Sequence, residues 1–172
     1  MRRYKVPKFL TQRWEPPLRD YCKINSDAAC FEDGRYGLGG IMRDEVGDIM
    51  VATCTVVNGN KNAEIAEALA ARHALTTAIE AGLSRVILEV DNMKVYAHLK
   101  NGTKEQSCFG FIMNDIRALA RQCSDIKFSH VGRNGNVAAH ELAKMSCNFE
   151  GLRVWIEEAP HEIIRTVIDD CA

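Results

Sequence analysis

Apolar and polar positions alternate between residues 21 and 57, with short polar interruptions. A two-residue period is typical of β-strands, because successive side chains point to opposite faces of a sheet. The pattern predicts a first strand that begins at Tyr21 and has Asp27 near its middle or end, a second over 37–43 and a third over 49–57. Because polar turn residues at 44–48 separate the last two, we expect an antiparallel meander.

Helices and two further strands are predicted after residue 62. Helices are predicted over 63–81, 92–100, 109–123 and 137–145 from helix-forming composition and three-to-four-residue apolar spacing. A nearly continuous apolar run over 86–90 predicts a strand that is covered on both faces, and residues 126–131 predict a fifth strand. The order of these elements predicts an α/β fold with a five-stranded mixed sheet and helices on both faces.

Composition and cysteine content narrow the class of protein. The 172 residues are 47% hydrophobic and 26% charged, which is typical of one soluble globular domain. No apolar run approaches the ~18 residues of a membrane span, so we expect no membrane contact. The seven cysteines include no C-x-x-C pair, which favours buried free thiols in a reducing, intracellular compartment, nuclear or cytoplasmic. We expect a monomer.

Charge is distributed unevenly along the chain. Residues 1–23 hold seven basic and two acidic side chains, and the remainder holds 15 basic and 21 acidic ones, for a net charge of −1. The near-neutral total argues against binding nucleic acid by bulk charge. The basic segment either solubilises the chain or faces nucleic acid. We predict a basic arm over 1–14 and a single domain over 15–172, with a C-terminal tail from about residue 150.

Three carboxylates are predicted to meet at one edge of the sheet. Asp27 lies on the first strand, Asp91 ends the fourth, and Glu67 lies on the first helix. If the first and fourth strands are neighbours, these side chains lie close together. Clustered carboxylates repel each other unless a cation neutralises them, and their oxygens suit Mg²⁺ or Mn²⁺. Two such ions ~3.5–4 Å apart can hold both the attacking and the leaving oxygen of a phosphodiester, which predicts a nuclease site.

Each of these positions also has an ordinary structural explanation. Asp27 can be a turn residue, Glu67 a solvated helix residue, and Asp91 the N-cap of the helix that follows it. His140, at the start of the last helix, can be a core histidine with its hydrogen bonds satisfied. The joint order of the four residues along this pattern of elements favours the functional interpretation.

Several motifs resemble those of the ribonuclease H superfamily, and more closely the plant RNase H-like domain related to non-LTR retrotransposon reverse transcriptases. The matching segments are residues 14–17, 23–27, 37–44 with Gly47, 66–70, 89–91 and 133–144. In the tail, Trp155, Pro160 and residues 163–169 also look like the ending of this family. The resemblance therefore extends from about residue 14 to residue 170.

The resemblance implies a catalytic role for five residues. Asp27, Glu67 and Asp91 match the three metal-binding carboxylates, and His130 matches a mobile histidine that helps the product leave. His140 stands where a fourth carboxylate is usual, so the resemblance makes it a metal ligand as well. An imidazole can bind a cation but is a poorer ligand for the hard Mg²⁺ ion. The implied cofactor is Mg²⁺, for which Mn²⁺ can substitute.

The resemblance also implies a nucleic-acid partner, either an RNA/DNA hybrid or another nucleic acid. It places contacts to that partner at Asn25, Arg133 and Asn136. Amide side chains that grip the hybrid in bacterial relatives are replaced here by Ala63, Glu64 and Met93. Loss of these amides weakens the recognition of the sugar 2′-hydroxyl groups that distinguish RNA from DNA.

Two functions are consistent with the sequence. The first is a metal-dependent endonuclease that cuts the RNA strand of RNA/DNA hybrids and leaves a 3′-hydroxyl. The second is a non-catalytic RNase H-like module that binds nucleic acid or a protein partner, which His140, Met93 and Glu64 favour. The intact set of three carboxylates favours the first.

Overall fold

The structure is a computed structural model that describes residues 13–172. Residues 1–12, which contain most of the predicted basic arm, lie outside the described part of the chain. The described residues form six strands: β1 Cys22–Cys30, β2 Tyr36–Arg43, β3 Ile49–Val57, β4 Arg85–Val90, β5 Asp125–His130 and β6 Arg153–Ile156. They also form five α-helices: α1 Ala63–Glu80, α2 Met93–Asn101, α3 Cys108–Ala120, α4 Val137–Met145 and α5 His161–Asp170.

The strands form one mixed sheet in the spatial order β5-β4-β1-β2-β3-β6. Strands β1, β2 and β3 are antiparallel, whereas β4 pairs parallel with both β1 and β5. The predicted α/β fold and mixed sheet are confirmed, but the prediction of five strands is wrong. The sixth strand, β6, lies in the predicted tail and pairs antiparallel with β3. Its four residues are too few to establish a recognisable two-residue period.

Asparagine side chains fix the starts of the two helices that flank the predicted site. Asn62 caps α1 and Asn92 caps α2, each by accepting a hydrogen bond from a backbone N–H of the first turn. Asp91 is therefore not the N-cap that one interpretation of the sequence makes it. The Tyr36 hydroxyl accepts hydrogen bonds from the backbone N–H groups of Asn60 and Asn62, which anchors the loop before α1 to β2.

Helices cover the sheet on both faces. Helices α1 and α3 pack on one face over a core that includes the fully buried Leu75, Leu88 and Met113. Helices α4 and α5 pack on the other face over β2 and β3. Here Gly39 is required by close approach, because a Cβ on it would lie 2.4 Å from the backbone nitrogen of Ala143 in α4. This contact sets the position of the helix that carries His140.

The segment before β1 covers the part of this second face that α4 leaves open. Trp14 is 3% exposed, so the folded part of the chain includes a residue that the sequence assigns to the arm. Its indole Nε1 donates to Asn25 Oδ1 at 3.0 Å, and Asn25 Nδ2 donates to Glu89 Oε2 at 2.8 Å. Lys23 and Ser129 complete the network, with Lys23 Nζ 3.2 Å and Ser129 Oγ 3.1 Å from Glu89 Oε1. The network joins β1, β4 and β5.

The cysteines do not all follow the predicted burial. None of the seven, all of which lie in the described part, forms a disulfide. Cys22 and Cys54 are buried, and burial raises the pKa of these thiols to about 12 and about 11. Four are exposed at or beyond the ends of elements, which corrects the expectation of buried thiols: Cys30, Cys108, Cys147 and Cys171. Within residues 13–172, no helix combines the length and the apolar character needed to cross a membrane.

A buried ion pair ties the two ends of the described chain to the sheet. Arg43 at the end of β2 is completely buried, and its Nη1 lies 2.7 Å from Oδ2 of Asp170 in α5. The guanidinium carbon also lies 3.9 Å from the centroid of the Trp14 ring. Three segments that are distant in sequence therefore meet at one cation.

Substitution of Asp170 tests how much the Arg43–Asp170 ion pair contributes to the stability of the fold. Asp170→Ala leaves the Arg43 guanidinium buried without its counter-ion, so we expect the free energy of unfolding to fall by about 3–5 kcal/mol in urea titrations. The matched control is Asp169→Ala, which breaks an exposed pair with Arg165 on the same helix. That change should cost less than about 1 kcal/mol. Equal losses of unfolding free energy in the two variants would contradict the conclusion that the buried pair stabilises the fold more than the exposed one.

Candidate metal centre

Three carboxylates converge where β1 and β4 end. The parallel register sets Asn25 beside Glu89, so Asp27 and Asp91, two residues further along their chains, lie at the same edge. Glu67 reaches this edge from the second turn of α1. One ligand oxygen from each of Asp27, Glu67 and Asp91 lies within 4.8 Å of the others. The neighbouring strands and the shared edge confirm the arrangement expected from the sequence.

Small side chains bring α1 close enough to the sheet for Glu67 to reach. Ala66, Ala68 and Ala70 around it are all fully buried. A Cβ on Gly40 of β2 would lie only 2.9 Å from the Cβ of Ala74, one further turn along the helix. Larger residues at these positions would lift the helix away from β1 and β2. Glu67 is thus held over the sheet by packing, although its charge is repelled there.

Burial and mutual repulsion together determine the electrostatics of the cluster. Burial, together with the charges of Asp27 and Asp91, raises the pKa of Glu67 to about 10. Burial and the charge of Asp27 also raise the pKa of Asp91, while a hydrogen bond from Asn136 and the charge of Arg133 oppose that shift. Either a proton or a cation therefore has to neutralise the site at physiological pH.

His140 lies at the mouth of the site, on α4. Its Nδ1 is 2.7 Å from Oδ2 of Asp27, and its side chain is 52% exposed while that of Asp27 is 6% exposed. The alternative interpretation of His140 as a core histidine is therefore wrong. The bond to Asp27 fixes the ring beside the carboxylates and leaves Nε2 as the ring nitrogen available for another partner.

Asn136 positions two of the elements that form the site. It is 1% exposed, its Nδ2 donates to the backbone carbonyl of Ser26 at 3.0 Å, and it hydrogen-bonds the Asp91 carboxylate. It therefore links the loop before α4 to the ends of β1 and β4. The sequence assigns Asn136 to nucleic-acid contact, whereas the structure gives it this internal positioning role.

The other two predicted nucleic-acid contacts differ in burial, and the role of Arg133 stays a prediction. Asn25 is completely buried and uses its amide oxygen and nitrogen on Trp14 and Glu89, so its assignment as a nucleic-acid contact is wrong. Arg133 is exposed on a short 3₁₀ turn and lines the rim of the site. A guanidinium there can reach a ligand.

His130 lies next to the site without lining it. At the end of β5, its Nε2 donates to the backbone carbonyl of Asp91 at 3.0 Å, and its ring centroid is 5.8 Å from that of Tyr96. The bond requires the proton on Nε2, because a carbonyl oxygen only accepts. The predicted role of His130 in product release stays a prediction.

The carboxylates open into a cleft of about 540 Å³. Besides the predicted residues, Asn92 and Asn134 line it. Neither residue is among those predicted from the sequence, although each lies next to a predicted site residue. The N-cap position of Asn92, directly after a strand-ending carboxylate, is the signal that could have identified it.

Comparison with known proteins identifies a family and several similar structures. The reverse transcriptase-like family matches residues 25–146. RNase H1 from Halobacterium salinarum is 22% identical with a TM-score of 0.68, over 74% of this chain and 98% of that one. The N-terminal RNase H domain of a Mycobacterium tuberculosis protein is 19% identical with a TM-score of 0.67, over 74% and 94%. A search of curated proteins finds no match.

A third similar structure, LC11-RNase H1 from compost, was solved in complex with an RNA/DNA hybrid. It is 18% identical with a TM-score of 0.65, over 74% of this chain and 96% of that one. At these identities the structural likeness shows the RNase H fold, while the plant and retrotransposon relationships stay predictions. Since the family match spans more than half of the sequence, the chain belongs to the reverse transcriptase-like family and has the RNase H fold.

Proposed function

We propose that this protein is a metal-dependent endonuclease that cuts the RNA strand of RNA/DNA hybrids. The observation that carries the proposal is the convergence of Asp27, Glu67 and Asp91, from three different elements, at the floor of an open cleft. A protein has no structural reason to hold like charges this close, since they lower its stability. The similarity to RNase H1 structures, one of them bound to a hybrid, supports the same substrate.

The residues present fit a divalent cation. Asp27, Glu67 and Asp91 would hold it, because carboxylate oxygens are the ligands that Mg²⁺ and Mn²⁺ prefer. Burial and the neighbouring carboxylate charges raise the pKa values of Glu67 and Asp91, so a bound cation would stabilise their charged forms. When bound, such a cation supplies Lewis-acid stabilisation of the charge that develops on a phosphodiester.

Side chains at the mouth of the cleft supply proton transfer and orientation. His140 keeps Nδ1 on Asp27, so Nε2 can take a proton from water or give one to the departing oxygen. Arg133 at the rim can bind a phosphate oxygen. Asn136 holds Asp91 and the end of β1 in register, which keeps the carboxylates in place during the reaction.

One surface feature favours the second candidate, a non-catalytic binding module. Met93 is 61% exposed, and Glu64 forms an ion pair with Lys94 at 2.8 Å between the starts of α1 and α2. Neither residue offers the amide donors that the family resemblance associates with hybrid binding. The pair does neutralise Glu64, so the added carboxylate repels phosphate less than its sequence position suggests.

Cleavage of a labelled hybrid decides between the two functions. We expect the wild-type protein to cut the RNA strand in Mg²⁺ or Mn²⁺ and to leave a 3′-hydroxyl. Asp27→Asn and Asp91→Asn should each reduce the rate by at least about a hundredfold, while the hybrid still binds in a gel-shift assay. The control Asp115→Asn alters an exposed carboxylate on α3 and should keep the wild-type rate. If the wild-type protein cleaves the hybrid in neither Mg²⁺ nor Mn²⁺, the proposed nuclease activity is refuted.

The pH dependence of stability tests the cluster without a substrate. In the presence of a metal chelator, folding raises the pKa of Glu67 from 4.5 to about 10. Between these two pH values the folded state keeps a proton that the unfolded state loses. The free energy of unfolding should therefore fall as pH rises through this window, by up to about 1.4 kcal/mol per pH unit. Glu67→Gln should flatten the slope in urea titrations, whereas Glu64→Gln on the same helix should leave it unchanged. If Glu67→Gln leaves the slope of unfolding free energy against pH unchanged, the pH dependence does not arise from Glu67.

Substitution of His140 tests its place in the metal site. His140→Asp adds a fourth hard oxygen ligand, so the ratio of cleavage rates in Mg²⁺ and Mn²⁺ should shift towards Mg²⁺ by roughly tenfold. The concentration of Mg²⁺ at half-maximal rate should fall as well. His161→Asp, at the start of α5, serves as the control. If both variants shift the ratio equally, His140 does not act on the metal.

A further inference from the structure

The outer edge of the sheet at β6 is apolar and open. Leu152, Val154 and Ile156 alternate along this segment and are 57%, 43% and 58% exposed. Proteins commonly protect such edges with charged or proline residues, because an open edge can pair with another strand. Among residues 13–172, β6 pairs only with β3, so nothing described covers its outer side.

The register fixes which backbone groups of β6 are free. The Glu157 N–H donates to the Met50 carbonyl at 2.9 Å, two positions from the Ala52–Trp155 pair. In an antiparallel ladder, hydrogen-bonded pairs recur every two residues, so positions 153, 155 and 157 direct their backbone groups to β3. Val154 and Ile156 therefore direct their N–H and C=O groups outward, at the positions where the exposed apolar side chains stand.

The sequence of this edge is complementary to itself. When a second copy is placed antiparallel with Trp155 opposite Trp155, each Val154 faces Ile156 and each Arg153 faces Glu157. The outward backbone groups then meet as hydrogen-bonded pairs, which gives about four hydrogen bonds across the edge. Within the described chain, Arg153 lies over the Phe149 ring without an ion pair, and the exposed Glu157 has none either.

We propose that two copies of this chain associate through β6 to form one continuous sheet across a two-fold axis. Complementary charge at both ends and apolar pairs between them identify the occupant as a second copy. The left-handed backbone of Glu157, with φ of 57°, ends the strand, so the interface is short. We expect a dissociation constant in the micromolar range. The dimer departs from the monomer expected from the sequence.

The interface leaves the carboxylate cleft free. Strands β2 and β3 separate β6 from β1, which carries Asp27. Association and cleavage are therefore independent, and neither outcome of the cleavage assay bears on the dimer.

Sedimentation of the full chain over about 1–200 µM tests the dimer. We expect the wild-type protein to shift with concentration from the monomer mass of 19.2 kDa to twice that value. Ile156→Lys should weaken association at least about tenfold. The control Phe111→Lys changes an apolar side chain of similar exposure on α3 and should leave association unchanged. Circular dichroism spectra that match the wild-type spectrum should verify that both variants fold.

A charge exchange identifies the partner and its register. Arg153→Glu and Glu157→Arg should each weaken association, and the double variant should restore it, because the exchanged charges then face each other across the axis. A wild-type monomer at every concentration would overturn the proposal. So would loss of the dimer on deletion of residues 1–12, which would assign association to the basic segment, or a double variant weaker than both single variants.

Discussion

Three carboxylates within 4.8 Å of one another are the constraint on which the rest of the structure depends. Their burial and their mutual repulsion both destabilise the charged cluster, and both raise the pKa of Glu67. The scaffold therefore has to hold Asp27, Glu67 and Asp91 by packing and hydrogen bonds elsewhere. Buried alanines seat α1, and Gly39 lets α4 approach β2 closely.

The pairing of β1 with β4 positions two of the three carboxylates. Directly beside the carboxylates, Lys23 and Asn25 of β1 both bind Glu89 of β4, and Trp14 and Ser129 complete the bonding. A buried carboxylate without these partners would cost several kcal/mol. With them, the same residue locks the two strands that carry Asp27 and Asp91. A polar network thus stabilises one acidic residue and holds the two strands whose ends place Asp27 and Asp91 in the lining of the cleft.

Much of the fold could be predicted because its elements carry strong local patterns. The three meander strands, the buried β4 and all helices before residue 146 follow from apolar periodicity and composition. The short β6 could not, because four residues carry too little pattern. Asn25 shows a different limit of prediction from the sequence. A polar residue on a strand next to a predicted ligand suggests contact with substrate, and only the packing of Trp14 above it reveals that it is buried.

The placement of charge is compatible with the proposed binding of a nucleic acid. The body of the chain is acidic, yet the acidic residues around the cleft have local partners. His140 bonds Asp27, Lys94 pairs with Glu64, and Arg133 lies at the rim beside Asp91. The imidazole at position 140 also adds no negative charge to a site that already holds three carboxylates. Repulsion of phosphate is therefore confined to the cluster itself, where a divalent cation would reverse it.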